Sequence, residues 1–175
     1  MSNNKPAASI SLTHLTREGH AHMVNVGEKD VTARKATARA RVRMSEETFL
    51  KLVSGDTPKG DVLATVRIAG IQASKLTPQL IPLCHQVHLT KVEVQIKLIA
   101  SMAIIDATAE ARDRTGVEME AMVAASTAAL TLYDMLKAVD RGMTFDVALL
   151  EKAGGKSGHW QRKDGDDEAG VDAPP

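Results

Sequence analysis

Three short stretches of the chain carry residues able to do chemistry. "LTLYDMLKAV" sets Asp134 and Lys137 three residues apart inside an otherwise apolar run. On a helix that spacing puts a carboxylate and an ammonium side by side on one face. A solvated pair of this kind contributes almost nothing, but one surrounded by apolar residues, in low dielectric, acquires the shifted pKa values that proton transfer uses. "LIPLCHQVHL" places the only cysteine, Cys84, next to His85, with His88 three residues on; all three are ligand types that Zn²⁺ accepts. "EKAGGKSG" closes with Gly155-Lys156-Ser157, the last letters of a phosphate-binding loop.

No second Cys or His-x-x-x-His element completes a tetrahedral metal set, and the remaining histidines, 14, 20, 22 and 159, are scattered. Pro82 disfavours a helix here, and in an extended chain residues three apart point to opposite faces, so His85 and His88 should not converge on one ion. We therefore expect no metal, and Cys84 reads as a small buried side chain. The loop pattern fails because its first glycine would be residue 150, which is Leu, and no apolar helix follows the lysine. A glycine-rich turn that aims Lys156 at an anion remains, beside a plain C-terminal loop.

Other candidates have two readings each. Lys59, in "TPKGD", stands just ahead of a predicted helix N-terminus, where free N–H groups favour a phosphate; the alternative is a solvated loop lysine. Lys75, in the last turn of the same helix, complements the dipole there or reaches an anion. In "TGVEME", Thr115-x-x-Glu118 is a capping box that would occupy Glu118 with a backbone N–H. Glu120, ahead of a nearly charge-free helix, has no such duty.

The elements that must position these residues follow from periodicity. From Ala33, "ARKATARARVRM" alternates, with Ala36, Ala38, Ala40, Val42 and Met44 on one face and Lys35, Thr37, Arg39, Arg41 and Arg43 on the other. This is a half-buried strand whose arginine row reads as a solvated face. Ser45 caps a short helix with Glu46 and Glu47 in its first turn, ended by Gly55. A second helix runs from about Asp61 to Leu76, stopped by Thr77 and Pro78. Leu89 to Ile99 alternates again, with Val92, Val94, Ile96 and Leu98 inward, and Met102 to Ala111 is its hairpin partner. A third helix covers roughly Val117 to Val139 and is apolar on nearly every face. A small single-sheet domain covers one side of it, so the rest predicts a homo-oligomer. A last strand spans about Val147 to Lys152. Hairpin-paired strands mixed with long helices define an α+β fold, an antiparallel sheet packed against long apolar helices.

Composition sets the bounds. At 175 residues the chain suits one domain, 13–160, between a flexible tail at 1–12 and an acidic flexible tail at 161–175. Twenty-two basic residues balance twenty-two acidic ones, so nothing about the net charge points to nucleic acid or an anionic membrane. Four aromatics, Phe49, Tyr133, Phe145 and Trp160, are too few for a base-stacking platform. One cysteine and no basic-then-apolar leader read as cytoplasmic. The longest uncharged run with helical character, Ala121 to Tyr133, is well short of the roughly 20 residues a membrane span needs.

Four stretches, "KGDVLATVRIAGIQASKLTPQLIPLCH", "LTKVEV", "RTGVEMEAMVAASTAALTLYDMLKAVD" and "KAGGKSG", resemble the MoaC family of molybdenum cofactor biosynthesis, the cyclic pyranopterin monophosphate synthases. The likeness runs from about Leu12 to Trp160. It implies a ferredoxin-like fold and a hexamer with active sites between subunits. It also implies a lyase that rearranges a cyclised dihydroguanosine triphosphate, made from GTP by a radical-SAM partner, with loss of pyrophosphate. On this resemblance Asp134 is the catalytic acid/base, Lys137 is its partner lysine, and Lys59 is a further pocket residue that moves protons or holds phosphate. Leu83, Cys84, His85, Glu118, Met119 and Glu120 match substrate-binding segments, as do Lys75, Arg34 and Lys156. No cofactor is required, although Mg²⁺ accompanying the triphosphate is compatible. The sequence departs from the commoner family form at Asn25, where an aspartate is usual, and at Gln86 and His88. Two rival readings are a zinc-binding structural or sensor protein and a non-catalytic nucleotide-binding oligomer.

Overall fold

Alternation of small apolar and polar residues builds the central strand. The computed structural model describes residues 15–16 and 18–163. In it β1 spans Thr32–Arg43, with Ala36, Ala38, Ala40 and Val42 fully buried. β3 (Met102–Asp113) pairs antiparallel along the whole of β1, with Ala36 opposite Ala109 and Val42 opposite Ala103. The buried face is thus floored mainly by methyl groups, which lets helices lie close to the sheet. β2 (Leu89–Ile99) returns to β3 through Ala100 and Ser101, both at positive φ (46° and 60°), the backbone of a two-residue type I′ hairpin turn.

β4 (Thr144–Ala153) lies on the other side of β1, and a short β5 (Trp160–Gln161) lies beyond it. The order is β2-β3-β1-β4-β5 and every neighbouring pair is antiparallel. β4 exceeds the expected strand at both ends. β5 carries Gln161, which the sequence reading placed in a tail, and Arg162 continues the pairing by donating to the carbonyls of Leu150 and Leu149. The tail at 1–12, and residues 164–175 of the other, lie outside the described residues.

The helices share one face of this sheet. α1 (Glu46–Ser54) is capped by Ser45, whose Oγ accepts from the Thr48 amide, and ends at Gly55 with φ 75°. α2 (Val62–Ser74) is capped by the Asp61 carboxylate. It stops at Ser74, and Thr77 and Pro78 open a further single turn, α3 (Thr77–Leu80), because proline is tolerated in a first turn. α4 (Glu118–Leu136) crosses β1, β3 and β4, and α2 lies beside it and over β2. The close approach sits at Gly70. A Cβ there would be 3.1 Å from the Ala124 carbonyl oxygen and 3.4 Å from the Ala128 Cβ. With α2 on its flank, ten of the 19 residues of α4 are buried, while Leu130 and Met119 stay 57% and 39% exposed. A single chain therefore covers more of α4 than its periodicity suggests.

The opposite face of the sheet is polar but not simply solvated. Arg39 forms a two-pronged pair with Asp106 across the strand boundary (2.7 and 2.8 Å), and Arg41 and Arg43 share Asp146 of β4. The expected arginine row is thus tied down by cross-strand carboxylates. Among the described residues no helix is long and apolar enough to cross a membrane.

Candidate active site

The C-terminal end of α4 carries one cluster of ionisable groups. Its helical spacing brings Lys137 Nζ to 2.6 Å from Asp134 Oδ1. The turn between α1 and α2, closed by Thr57 Oγ1 donating to the Gly60 carbonyl, delivers Lys59 to the same carboxylate. Lys59 Nζ donates to Asp134 Oδ2 and to the Asp134 carbonyl, both at 2.8 Å. Lys59 therefore complements the negative end of α4 from the turn that leads into α2.

The low-dielectric argument for this pair does not hold in the single chain. Asp134, Lys137 and Lys59 are 53%, 52% and 42% exposed. The hydrogen bonds from Lys137, then Lys59, together with their charges, hold the Asp134 carboxyl down at about 2, and Asp134 in turn raises Lys137. Water and two ammonium groups stabilise the ionised forms here.

A second cluster gathers at the N-terminal end of α4, about 24 Å away along the axis, the rise of the 16 steps from Glu118 to Asp134. Glu120 is 2% exposed; its Oε1 accepts from the Cys84 thiol (3.8 Å) and its Oε2 has no partner. Burial pushes Glu120 up despite opposing hydrogen bonds, and burial followed by the nearby Glu120 and Glu118 charges pushes Cys84 to about 11. Cys84 is thus a thiol, not a thiolate. His85 Nε2 meets the Val24 carbonyl at 2.7 Å, so in its neutral form the proton sits on Nε2 and Nδ1 has a free lone pair. His88 turns away and is 93% exposed beside Asp113. The three zinc-type side chains part company, and among the described residues no three His, Cys, Asp or Glu converge as a metal site would need.

Two open cavities, of about 570 and 920 Å³, adjoin along this end and share Lys29, Thr115, Gly116 and Glu118 as walls. The first is lined by Leu83, Cys84, His85 and Met119, the second by Arg34, Arg114 and Lys156. The capping box expected of Glu118 is absent. α4 begins at Glu118 behind a Val117 cap with no side-chain bond, so Glu118 stands at the first helical position rather than the third. Its carboxylate lies over Gly116, where a Cβ would come within 1.9 Å of Oε2.

Arg34, from the start of β1, is aimed by two carbonyls, donating from Nε to Asp113 and from Nη2 to Arg114, both at 3.1 Å. The glycine pair after β4 makes room for it. Gly155 has φ 70°, and a Cβ there would lie 1.8 Å from Arg34 Nη1. "AGGKSG" is thus a seat for a guanidinium, with Lys156 exposed beyond it.

Of the candidates, Leu83, Cys84, His85, Arg34, Glu118, Met119, Glu120 and Lys156 come together here, and Asp134, Lys137 and Lys59 come together at the far end. Lys75 is the exposed C-cap of α2 and lines neither cavity. Lys29, Arg114 and Gly116 escaped the sequence reading. The segment of Lys29 has no periodicity to read, and Gly116 gave its only signal as a glycine just ahead of an acidic helix start.

The fold and the two clusters have the marks of a small α+β enzyme. Comparison with known proteins says which kind: residues 23–155 match the MoaC family, and the chain belongs to that family. It is 55% identical over 156 residues to the cyclic pyranopterin monophosphate synthase of Thermomicrobium roseum, covering 87% of this chain and 94% of the relative. It is 55% identical over 158 residues to the same-named enzyme of Chloroflexus aurantiacus, covering 89% and 97%.

Proposed function

We propose that the chain is a cytoplasmic lyase of molybdenum cofactor biosynthesis. It takes the cyclised dihydroguanosine triphosphate that a radical-SAM partner makes from GTP, rearranges it to cyclic pyranopterin monophosphate and releases pyrophosphate. The observation that carries this reading is 55% identity, over nearly the whole length of two relatives bearing that enzyme name. The clusters supply the group types such a reaction needs. Asp134 is the acid/base, Lys137 and Lys59 move protons or hold phosphate, and Glu118 and His85 orient the ring. Arg34 and Lys156 take the triphosphate, against a wall of Leu83, Cys84, Met119 and Glu120, and Lys75, outside both cavities of its own chain, joins them from a second copy. No resident cofactor is part of this reading, and Mg²⁺ accompanying the triphosphate is compatible with it.

The β-α-β-β-α-β order, with β1 and β3 central, supports a ferredoxin-like classification. The 24 Å between clusters supports a site built from two copies, within a homohexamer. A second copy packed over Asp134 would remove water from it, raising the carboxyl and lowering the Lys137 ammonium toward neutrality. The test is incubation of the purified protein with the cyclised triphosphate and assay of pterin and pyrophosphate. Asp134→Asn is expected to lower turnover by about 10²–10⁴-fold with the fold intact. Binding of the nucleotide with no product would overturn the reading.

A further inference from the structure

The cavity walls include a segment that none of the assigned residues explains. Residues 24–30 form a strap along both cavities, Val24 and Val26 facing the first, Glu28 and Asp30 the second, and Lys29 both. Locally the strap is a turn. Asn25 Oδ1 accepts from the Gly27 amide (2.8 Å), and the Lys29 amide donates to the Val26 carbonyl (3.1 Å). An aspartate at 25 would accept the same bond, so the departure there leaves the turn unchanged.

Among the described residues, two side-chain hydrogen bonds tie this strap to the rest of the chain. His85 holds the Val24 carbonyl at one end, and Arg114 Nε donates to the Lys29 carbonyl (3.1 Å) at the other. Arg114 is itself a fixed post, since the Asp113 carboxylate accepts its amide (2.7 Å) and Arg34 holds its carbonyl. The chain Arg34 to Arg114 to Lys29 thus fastens three cations in series, each guanidinium aimed by a neighbour's backbone oxygen. Charge repulsion among them would otherwise spread these side chains apart.

We propose that Arg114 is a positioning residue: by holding the Lys29 carbonyl it fixes the strap and sets where the Lys29 ammonium meets the phosphate end of the ligand. The inference rests on the phosphorylated-substrate reading above, and its consequences fall on affinity. Phosphate recognition by a lysine depends on where its flexible stem is rooted, because the ammonium itself has no preferred direction.

The test uses the full-length protein and two variants. In Arg114→Met the bond is lost. KM for the cyclised triphosphate should rise about tenfold with kcat within about twofold, and amide hydrogen exchange across Val24 to Asp30 should quicken. Arg114→Lys, which keeps a donor, should recover most of both. Unchanged exchange in the strap of Arg114→Met overturns the proposal without reference to any substrate. Quickened exchange with an unchanged KM overturns the part given to Lys29. Absence of turnover in the wild-type protein would instead count against the proposed reaction, leaving the exchange measurement to decide the anchoring.

Discussion

At the scale of single residues, Asp134 shows what spacing in sequence does and does not reveal. Its pairing with Lys137 follows from helical geometry alone, and both residues were legible for that reason. The arrival of Lys59 from 75 positions away was not, because loop residues carry no periodic signal that places them against a distant helix. Exposure does not follow from the spacing either, since apolar neighbours in sequence occupy other faces of α4. Asp134 and Lys137 define a pH window. The Asp134 carboxyl is depressed, so the contribution it makes to the folded state is present above the ordinary aspartate range and is lost as pH falls through about 2. Lys137 is raised, so its contribution is complete below the ordinary lysine range and is lost as pH rises above it. Between these limits Asp134 and Lys137 both stay ionised in the single chain. In the dissociated single chain, before a second copy covers Asp134, a ¹³C carboxyl titration should therefore place it near pH 2, and Lys137→Met should return it toward the 3.8 of a free aspartate. A midpoint near 3.8 in the parent protein would show that the ion pairs do not form in solution.

At the scale of elements, strand alternation read β1, β2 and β3 correctly to within a few residues, because one face is buried and period 2 records it. β5 and α3 were invisible, as two strand residues or one helical turn carry no period. The glycine-rich end of β4 was legible as a turn but not in its purpose. Gly155 and Gly158 separate two reasons for glycine. Both sit at positive φ, 70° and 64°, but only Gly155 has a neighbour, the Arg34 guanidinium, in the space of a Cβ. Gly158→Ala should cost only the left-handed conformation, on the order of 1–2 kcal/mol. Gly155→Ala should add a collision of roughly 1–3 kcal/mol and swing Arg34 off the carbonyls of Asp113 and Arg114. Thermal unfolding of the two variants measures the difference. Equal midpoints would mean Arg34 moves aside freely and the glycine pair serves the turn alone.

At the scale of the whole molecule, the candidate residues divide between the two ends of one helix, a division the sequence does not show because both groups flank the same apolar run. A rigid 19-residue helix fixes the separation, so no rearrangement of side chains joins Asp134 to Glu118 within one chain. Two copies can join them if the N-terminal end of one α4 lies against the C-terminal end of another, and exposed Met119 and Leu130 on the helix between them suit such a contact. The arrangement makes a sharp prediction for mixed assemblies. Asp134→Asn and Glu118→Gln should each be inactive alone. Co-expressed in equal amounts, half of the pairs are hybrids, and each hybrid has one site carrying both substitutions and one carrying neither. About a quarter of parental activity should then return. A mixture as inactive as its parts, with hybrids demonstrated by mass, would place each complete site within a single chain. The separation along α4 would then have to be bridged by the substrate rather than by a second subunit.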